Sequence, residues 1–403
     1  MAGTNPGGNT AGIDTHKDTL WVAVITPVGG ELADREFPAT SAGYRAVIEF
    51  LTGHHAGVAG VECTSSYGMG ITRALRGAGL SVLEVYGSRK NKKRIKGKSD
   101  PLDAVAAARA VLADDGTATP KDERTNVIRT LHLARRSGVK ARTAAINQIK
   151  AILIAAPVKI REKYSGTTVS ALVTALAASR PRTGNGTDPL TASTMSALKA
   201  LAKRVQFLDE QDRDLTGQID ILVTEMNPAL RAAYGVGPDT AAQLIITAGA
   251  NPERLHSEAS FAALCGAAPV PASSGQTTRH RLSRGGDRAA NNALHRIALV
   301  RMSSHQPTRE YVQRQLTGKR SKKEVLRKLK RAIAREIFKL LTRVVEIDDY
   351  SDLRKSRQTK NLTLTTAARH LGICPTEISR LERGLKRDDT LAHTYRQWLT
   401  TTA

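Results

Sequence analysis

AGIDTHKDTLWVAVITPVGGELADREF, residues 11–37, decides the fold of the first part of this chain. Ala11–Thr15 is a short apolar strand that closes on an acid, and Thr19–Thr26 (TLWVAVIT) is a second strand. Val28-Gly29-Gly30 supplies turn chemistry before a third strand, Glu31–Phe37. Working outward, the pattern predicts a helix over 42–52, a strand over Gly57–Cys63 and a helix over 68–78. A strand over Ser81–Tyr86 (SVLEVY) and a helix starting near Pro101 follow.

Three strands in a row, then helix–strand–helix–strand–helix, is the element order of an RNase-H-like α/β domain. It is expected over 10–115, after a flexible start at 1–9. A chain of 403 residues holds roughly two to four such modules. The next, 120–228, reads as helical. Residues 121–155 are basic, with Val139, Ile146, Ile149 and Leu153 near one face, and SRPRTGNGTDP (179–189) is a linker by its Pro and Gly content. Leu198, Leu201, Val205, Leu208, Asp212, Leu215, Ile219 and Leu222 then recur in alternating steps of 3 and 4. That is a coiled-coil seam with one polar intruder, Asp212. It serves either dimerisation or an in-chain hairpin with the 121–155 helix. A mostly helical unit, 229–345, opens on Tyr234-Gly235-Val236-Gly237-Pro238, which resembles a helix-hairpin-helix turn, and closes on the amphipathic basic helix Lys322–Leu341. The tail, 350–403, is a separate module.

Composition narrows the partners. The formal charge is +24, from 61 Lys and Arg against 37 Asp and Glu, so a polyanion is expected and nucleic acid is the default. An anionic membrane surface is the rival, yet no apolar run approaches the ~18 residues of a span. Met1–Asn9 is polar and glycine-rich, unlike a signal peptide. Cys63, Cys265 and Cys374 form neither a metal-ligand spacing nor a disulfide framework, which fits a reducing cytoplasm.

Four carboxylates carry the chemistry. Asp14 ends the first strand in Gly12-Ile13-Asp14, and Glu62 ends a later one in Gly60-Val61-Glu62. Asp100 and Asp103 open a helix on one face, as an i, i+3 pair must. In an RNase-H-like sheet the strands carrying Asp14 and Glu62 are neighbours. Grouped carboxylates repel unless a cation joins them, and oxygen donors suit Mg2+, with Mn2+ able to substitute. Asp100-Pro101 also reads as an N-cap and N1 pair, with Asp103 at N3.

At these residues the chain resembles a known group. Gly12-Ile13-Asp14, Glu62 and Asp100-Pro101-Leu102-Asp103-Ala104 are similar to the DEDD motif of insertion-sequence 110 family transposases and the related Piv-type DNA invertases. Gly266-Ala267-Ala268-Pro269, Ser273-Ser274-Gly275 and Ser283-Arg284-Gly285-Gly286 resemble the same family's C-terminal transposase domain. The resemblance spans roughly 10–345. It implies a RuvC-like Mg2+ domain in which Asp14, Glu62, Asp100 and Asp103 are catalytic. It also implies a serine nucleophile, Ser274 by position with Ser273 as fallback, that links covalently to DNA. Donor and target DNA, a structured bridge RNA as guide, and assembly as a homo-oligomer from dimer to tetramer are further implications. One departure is visible: where members carry Leu-Arg, this chain has Ala290-Asn291, so an Arg contact is missing or moved to Arg288 or Arg296. A RuvC-like junction nuclease that only hydrolyses, and a DNA-binding regulator working through its tail, are the alternatives.

Two basic runs offer phosphate contacts. Arg89–Lys98 holds seven basic residues in ten: Arg89, Lys90, Lys92, Lys93, Arg94, Lys96 and Lys98. It lies just before Asp100, where it suits a phosphate backbone. Lys319–Arg331 holds eight in thirteen, including Lys322, Lys323 and Arg327; a solvated helix face is the other reading of this run. In the tail, TTAARHLGICPTEISRLER (365–383) reads as a helix-turn-helix with Ala368, Gly372 and Ile378 at its small, turn and buried positions. Leu353–Lys360 is its preceding helix. The stretch resembles an abbreviated Cro/C1-type fold, in which Thr376, Glu377 and Arg380 face the major groove. A helical docking module is the other reading of the same residues.

Overall fold

The structure, a computed structural model, describes residues 8–86, 99–181, 188–249, 255–272, 280–281, 283, 285–318, 320–384 and 387–402. The chain divides into two compact units, 1–126 with 248–256, and 127–247 with 257–403. The first is a mixed α/β sheet domain and the second is mostly helical.

The first unit contains β1 (Asn9–Thr15), β2 (Thr19–Ile25), β3 (Glu31–Pro38), α1 (Ser41–Gly53), β4 (Ala56–Glu62), α2 (Met69–Gly77), β5 (Ser81–Val85), α3 (Asp100–Leu112) and β6 (Thr117–Ala118). The sheet order is β3-β2-β1-β4-β5-β6. β1 runs antiparallel to β2 and parallel to β4, and β4 runs parallel to β5. This arrangement is consistent with the RNase-H-like order expected above, and each expected element lies within a residue or two of its place. Only β6, two residues long, shows no periodicity to read.

Alternation along the strands separates two faces. Ala11, Ile13, Leu20, Val22, Val24, Ala59 and Val61 face α1 and α2, where Val47, Leu51, Ile71 and Leu75 complete a dry core. The opposite face receives α3. Ala23 and Ile25 pack on Ala104, Val105 and Ala108, and Val85 packs on Ala107 and Val111. α3 lies almost on the strand backbone. A Cβ on Gly12 would fall 2.0 Å from the Ala104 carbonyl oxygen and 2.3 Å from the Ala108 nitrogen. A Cβ on Gly60 would fall 2.9 Å from the Ala107 carbonyl oxygen. Two side-chain-free strand positions and three alanines on the helix make this approach possible.

In the second unit α4 (Glu123–Ala155), which starts in the first, and α7 (Pro189–Met226) are the long elements, with α5 (Val158–Lys163) and α6 (Val169–Ala178) between them. Leu198, Val205, Leu208 and Ile219 of the expected seam are buried. Leu198, Ala202 and Val205 share one cluster with Ala145 and Ile149 of α4. The pairing is antiparallel: Arg142 meets Asp209, and Arg135 lies 3.0 Å from Asp212. The in-chain hairpin is thus what the seam forms here, and its polar intruder faces a guanidinium.

The rest comprises α8 (Pro228–Ala232), α9 (Pro238–Ala248), α10 (Glu258–Leu264), the pair β7 (Val270–Pro271) and β8 (His280–Arg281), α11 (Arg288–Ser304), α12 (Gln306–Thr317) and α13 (Lys322–Thr342). Four helices follow: α14 (Ser351–Thr359), α15 (Leu364–Leu371), α16 (Pro375–Glu382) and α17 (Asp389–Thr401). Leu353, Ala367, Ala368, Ile378, Leu381, Tyr395 and Leu399 form their core. Gly372 ends α15 at φ +66°, a left-handed turn that glycine adopts without Cβ strain. Beneath it the Arg357 guanidinium donates to Glu382 at 2.7 and 3.0 Å, and the Tyr395 hydroxyl donates to the same carboxylate at 2.8 Å.

Candidate metal centre

Asp14 and Glu62 reach one place because of register. β1 and β4 pair in parallel with Ile13 opposite Val61, so the next residues, Asp14 and Glu62, stand side by side at the strands' C-terminal ends. Alternation gives Asp14 the face of Gly12, and Glu62 the face of Gly60. That is the face α3 covers. The Thr15 hydroxyl donates to the Glu62 carbonyl at 3.2 Å and ties the two ends together.

The first residue of α3 is Asp100, and the cap position falls on Ser99. Capping, expected for Asp100 from its place before Pro101, therefore does not hold its side chain. The carboxylate turns to the strand ends instead. His16 Nε2 lies 3.4 Å from Asp100 Oδ1 and 3.3 Å from Asp14 Oδ2. Donor atoms of Asp14, His16 and Asp100 all fall within 4.8 Å of one another. Glu62 and Asp103 lie outside that tight group. Asp103 nevertheless acts on Asp14. Burial pushes the Asp14 carboxyl above its ordinary value, His16 opposes this, and the charges of Asp103 and Asp100 push it further up.

A divalent cation fits these donors. The site crowds acidic groups around a carboxylate with only 11% of its side chain exposed, while Asp100 and His16 stay about half exposed. A cation relieves the repulsion and leaves room for water, as oxygen-bound ions require. His16 is not among the residues expected from sequence. Its signal is present all the same: it follows Asp14 by two residues, so a strand end aims both at one face.

The other expected site residues are scattered. Ser273, Ser274 and the run Arg89–Lys98 lie outside the described residues. Lys322 and Lys323 are exposed at the start of α13, whereas Arg327 is half-buried and donates to the His280 carbonyl at 3.4 Å. Thr376 and Arg380 are exposed on α16, with Glu377 half-buried beside them. In the turn 234–238 two N–H groups are used internally, Val236 on the Ala233 carbonyl and Gly237 on the Thr240 hydroxyl. That removes both from phosphate binding.

The separated motifs of the second unit do meet. The Asp287 N–H donates to the Leu264 carbonyl at 2.6 Å, and Asn291 Nδ2 donates to the Cys265 and Gly266 carbonyls at 2.9 Å each. Buried Lys330 donates to Asn291 Oδ1 at 2.9 Å. Asn291 thus works as a clamp between two motifs at the position noted as a departure. Arg296 is engaged by Asp239, which also takes His132 at 3.0 Å and Arg135. Burial favours the neutral acid at Asp239, but His132, Arg135 and Arg296 outweigh it and hold the carboxyl well below its usual range.

No helix among the described residues is long and apolar enough to cross a membrane. No curated protein matches the chain. Two family models do. A DEDD-type transposase model of the IS110 group matches residues 11–156, spanning Asp14, Glu62, Asp100 and Asp103, and the model described as Transposase IS116/IS110/IS902 family matches 227–313, spanning both interlocked motifs. A DEDD-type domain implies use of a divalent metal, and a transposase acts on DNA. With two separate matches falling in order on the sheet domain and the helical unit, the chain belongs to the IS110 family of transposases.

Proposed function

We propose that this transposase cuts and rejoins DNA with Asp14, Glu62, Asp100 and Asp103 as the residues that hold Mg2+ and Ser274 as the nucleophile. The observation that carries the reading is the seating of α3 on Gly12 and Gly60, which sets the Asp100 carboxylate against the end of β1. A bound divalent cation supplies charge stabilisation at the phosphate oxygens. The protein's own part is placement: β1 and β4 offer two acids, and the helix offers two more. The Ser274 oxygen bonds to phosphorus as the P–O bond to the departing strand breaks, and the serine proton leaves with that oxygen. Rejoining runs the exchange in reverse. A serine hydroxyl needs activation, and no His or Lys adjoins Ser274 in sequence.

The modules in this reading are 10–115 for the metal site, 120–228 for assembly into oligomers, 229–345 for the serine and 350–403 for a helix-turn-helix. Donor and target DNA are the substrates, with a structured RNA as guide. Exposed Thr376 and Arg380, with Glu377, give α16 a polar face suited to base edges. The test is a joining assay on element-end DNA with the transcript of the DNA beside the gene. Ser274→Ala should lose strand joining and the covalent protein–DNA adduct, and Asp14→Asn should lose cleavage. Full joining by Ser274→Ala would overturn the serine, and transcript-independent joining would overturn the guide.

A further inference from the structure

We propose that His16 is a nitrogen ligand of the metal site, raising its affinity for Mn2+ relative to Mg2+. The inference rests on the metal site proposed above and extends it by a residue outside the four carboxylates. His16 directly follows β1, and its backbone N–H donates to the Thr19 carbonyl at 3.0 Å, which fixes the residue at the strand end. Alternation places it on the side of Asp14. Its Nε2 stands 3.3 Å from one carboxylate oxygen and 3.4 Å from another, one on the strand and one on α3.

A hydrogen bond does not account for that position. A ring nitrogen carries one proton at most, and a charge-assisted N–H···O contact closes to about 2.7–2.9 Å on a single acceptor. Here the nitrogen straddles two acceptors at nearly equal, longer distances. Adjacent ligands on a six-coordinate ion with bonds of about 2.1 Å stand about 3 Å apart. Two carboxylate oxygens and the nitrogen, all within 4.8 Å of one another, are spaced like ligands awaiting one ion. A carboxylate-only set suits Mg2+. An imidazole among the oxygens adds binding that Mn2+ exploits better than Mg2+, because Mg2+ is a hard cation that holds to oxygen and water, whereas Mn2+, although the weakest nitrogen binder of its row, is a softer transition ion.

The test uses the full-length protein with Mn2+ alone and Mg2+ alone. Pulsed electron paramagnetic resonance of bound Mn2+ should show nitrogen-14 modulation in the native protein and none in His16→Ala. Calorimetry should show His16→Ala losing about tenfold in Mn2+ affinity, with Mg2+ affinity falling less than about threefold. Unchanged modulation in His16→Ala, or Mn2+ bound without modulation in the native protein, overturns the ligand and leaves the carboxylate site standing. Equal losses for both ions assign His16 to placement of the acids and overturn the selectivity. If the native protein and Asp14→Asn both fail to bind Mn2+, the metal site itself falls. Thermal melting of His16→Ala, expected to be native-like for a half-exposed residue, confirms that the variant is folded.

Discussion

Replacing Gly12 with alanine should damage the fold and the metal site together. The new Cβ would stand 2.0 Å from the Ala104 carbonyl oxygen and 2.3 Å from the Ala108 nitrogen, and ordinary contact begins near 3.4 Å. The obstacle is helix backbone, so no rotamer relieves it. α3 must withdraw by somewhat over 1 Å or tilt. Overpacking of this kind costs about 1–3 kcal/mol, and a backbone clash belongs at the upper end. A loss of about 3 kcal/mol lowers the melting temperature of a unit this size by roughly 10 °C. The same movement draws Asp100 away from Asp14 and His16, and a misplacement near 1 Å costs on the order of a hundredfold in rate. Gly60→Ala is gentler, because its Cβ would meet valine methyls at 2.6 and 2.8 Å and its backbone obstacle, the Ala107 carbonyl oxygen, stands at 2.9 Å rather than 2.0 Å. Calorimetric melting, Mn2+ titration and a metal-dependent cleavage assay read these effects. Native melting and native metal affinity in Gly12→Ala would refute the view that main-chain contact positions the acids. So would a larger effect from Gly60→Ala than from Gly12→Ala.

Asp103→Asn should abolish metal-dependent cleavage with almost no change in melting; a large stability loss with cleavage retained would make Asp103 a helix-end charge only. Gly217 lies inside α7, and a methyl added there would meet nothing within 4 Å, so Gly217→Ala should stabilise the helix by about 1 kcal/mol in chemical denaturation. Glu382→Leu strips the buried Arg357 guanidinium of its carboxylate and should cost the tail about 3–5 kcal/mol, seen as an earlier transition, while a paired Arg357→Met and Glu382→Leu change should recover only part of it, because the buried Tyr395 hydroxyl still lacks its acceptor. Asp239 has a depressed folded pKa, so its ion pairs stabilise the protein fully above the unfolded value near about pH 4 and progressively less as pH falls below it. Asp239→Asn should therefore flatten the acid limb of a stability-versus-pH curve measured by urea melting.

The sheet domain was legible because its elements announce themselves. TLWVAVIT, SVLEVY and the glycine turn at 28–30 fix strands locally, and an acid closing each of two apolar strands is hard to place anywhere but a strand end. His16 shows in sequence only as a residue two places after Asp14; its nearness to Asp100, distant in sequence, comes from the fold alone. The Asp100 cap was misplaced by one residue, since Ser99 and Asp100 both suit a cap and only backbone geometry separates them. α17 went unread although Leu391, Tyr395 and Leu399 recur every four residues, because short helices need their tertiary partner to be convincing. Asp212 looked like a flaw in a seam; it is matched by Arg135 from a helix far earlier in the chain. The nucleophile rests on resemblance, since Ser273-Ser274-Gly275 carries no local signal and lies outside the described residues.

The antiparallel closure of α4 on α7 bears on how copies of the chain can associate. Every contact that closes the hairpin, from Ile149 on Leu198 to Arg142 on Asp209, is a match between two surfaces of one sequence. A second copy presents the same two surfaces. Two chains can thus trade α7 arms and satisfy the same apolar cluster and the same charge pairs, with no interface beyond the one already present. Arm exchange would turn the hairpin into a dimer whose strength is borrowed from the monomer's own fold, with concentration and the strain of the connecting segment setting the balance between them.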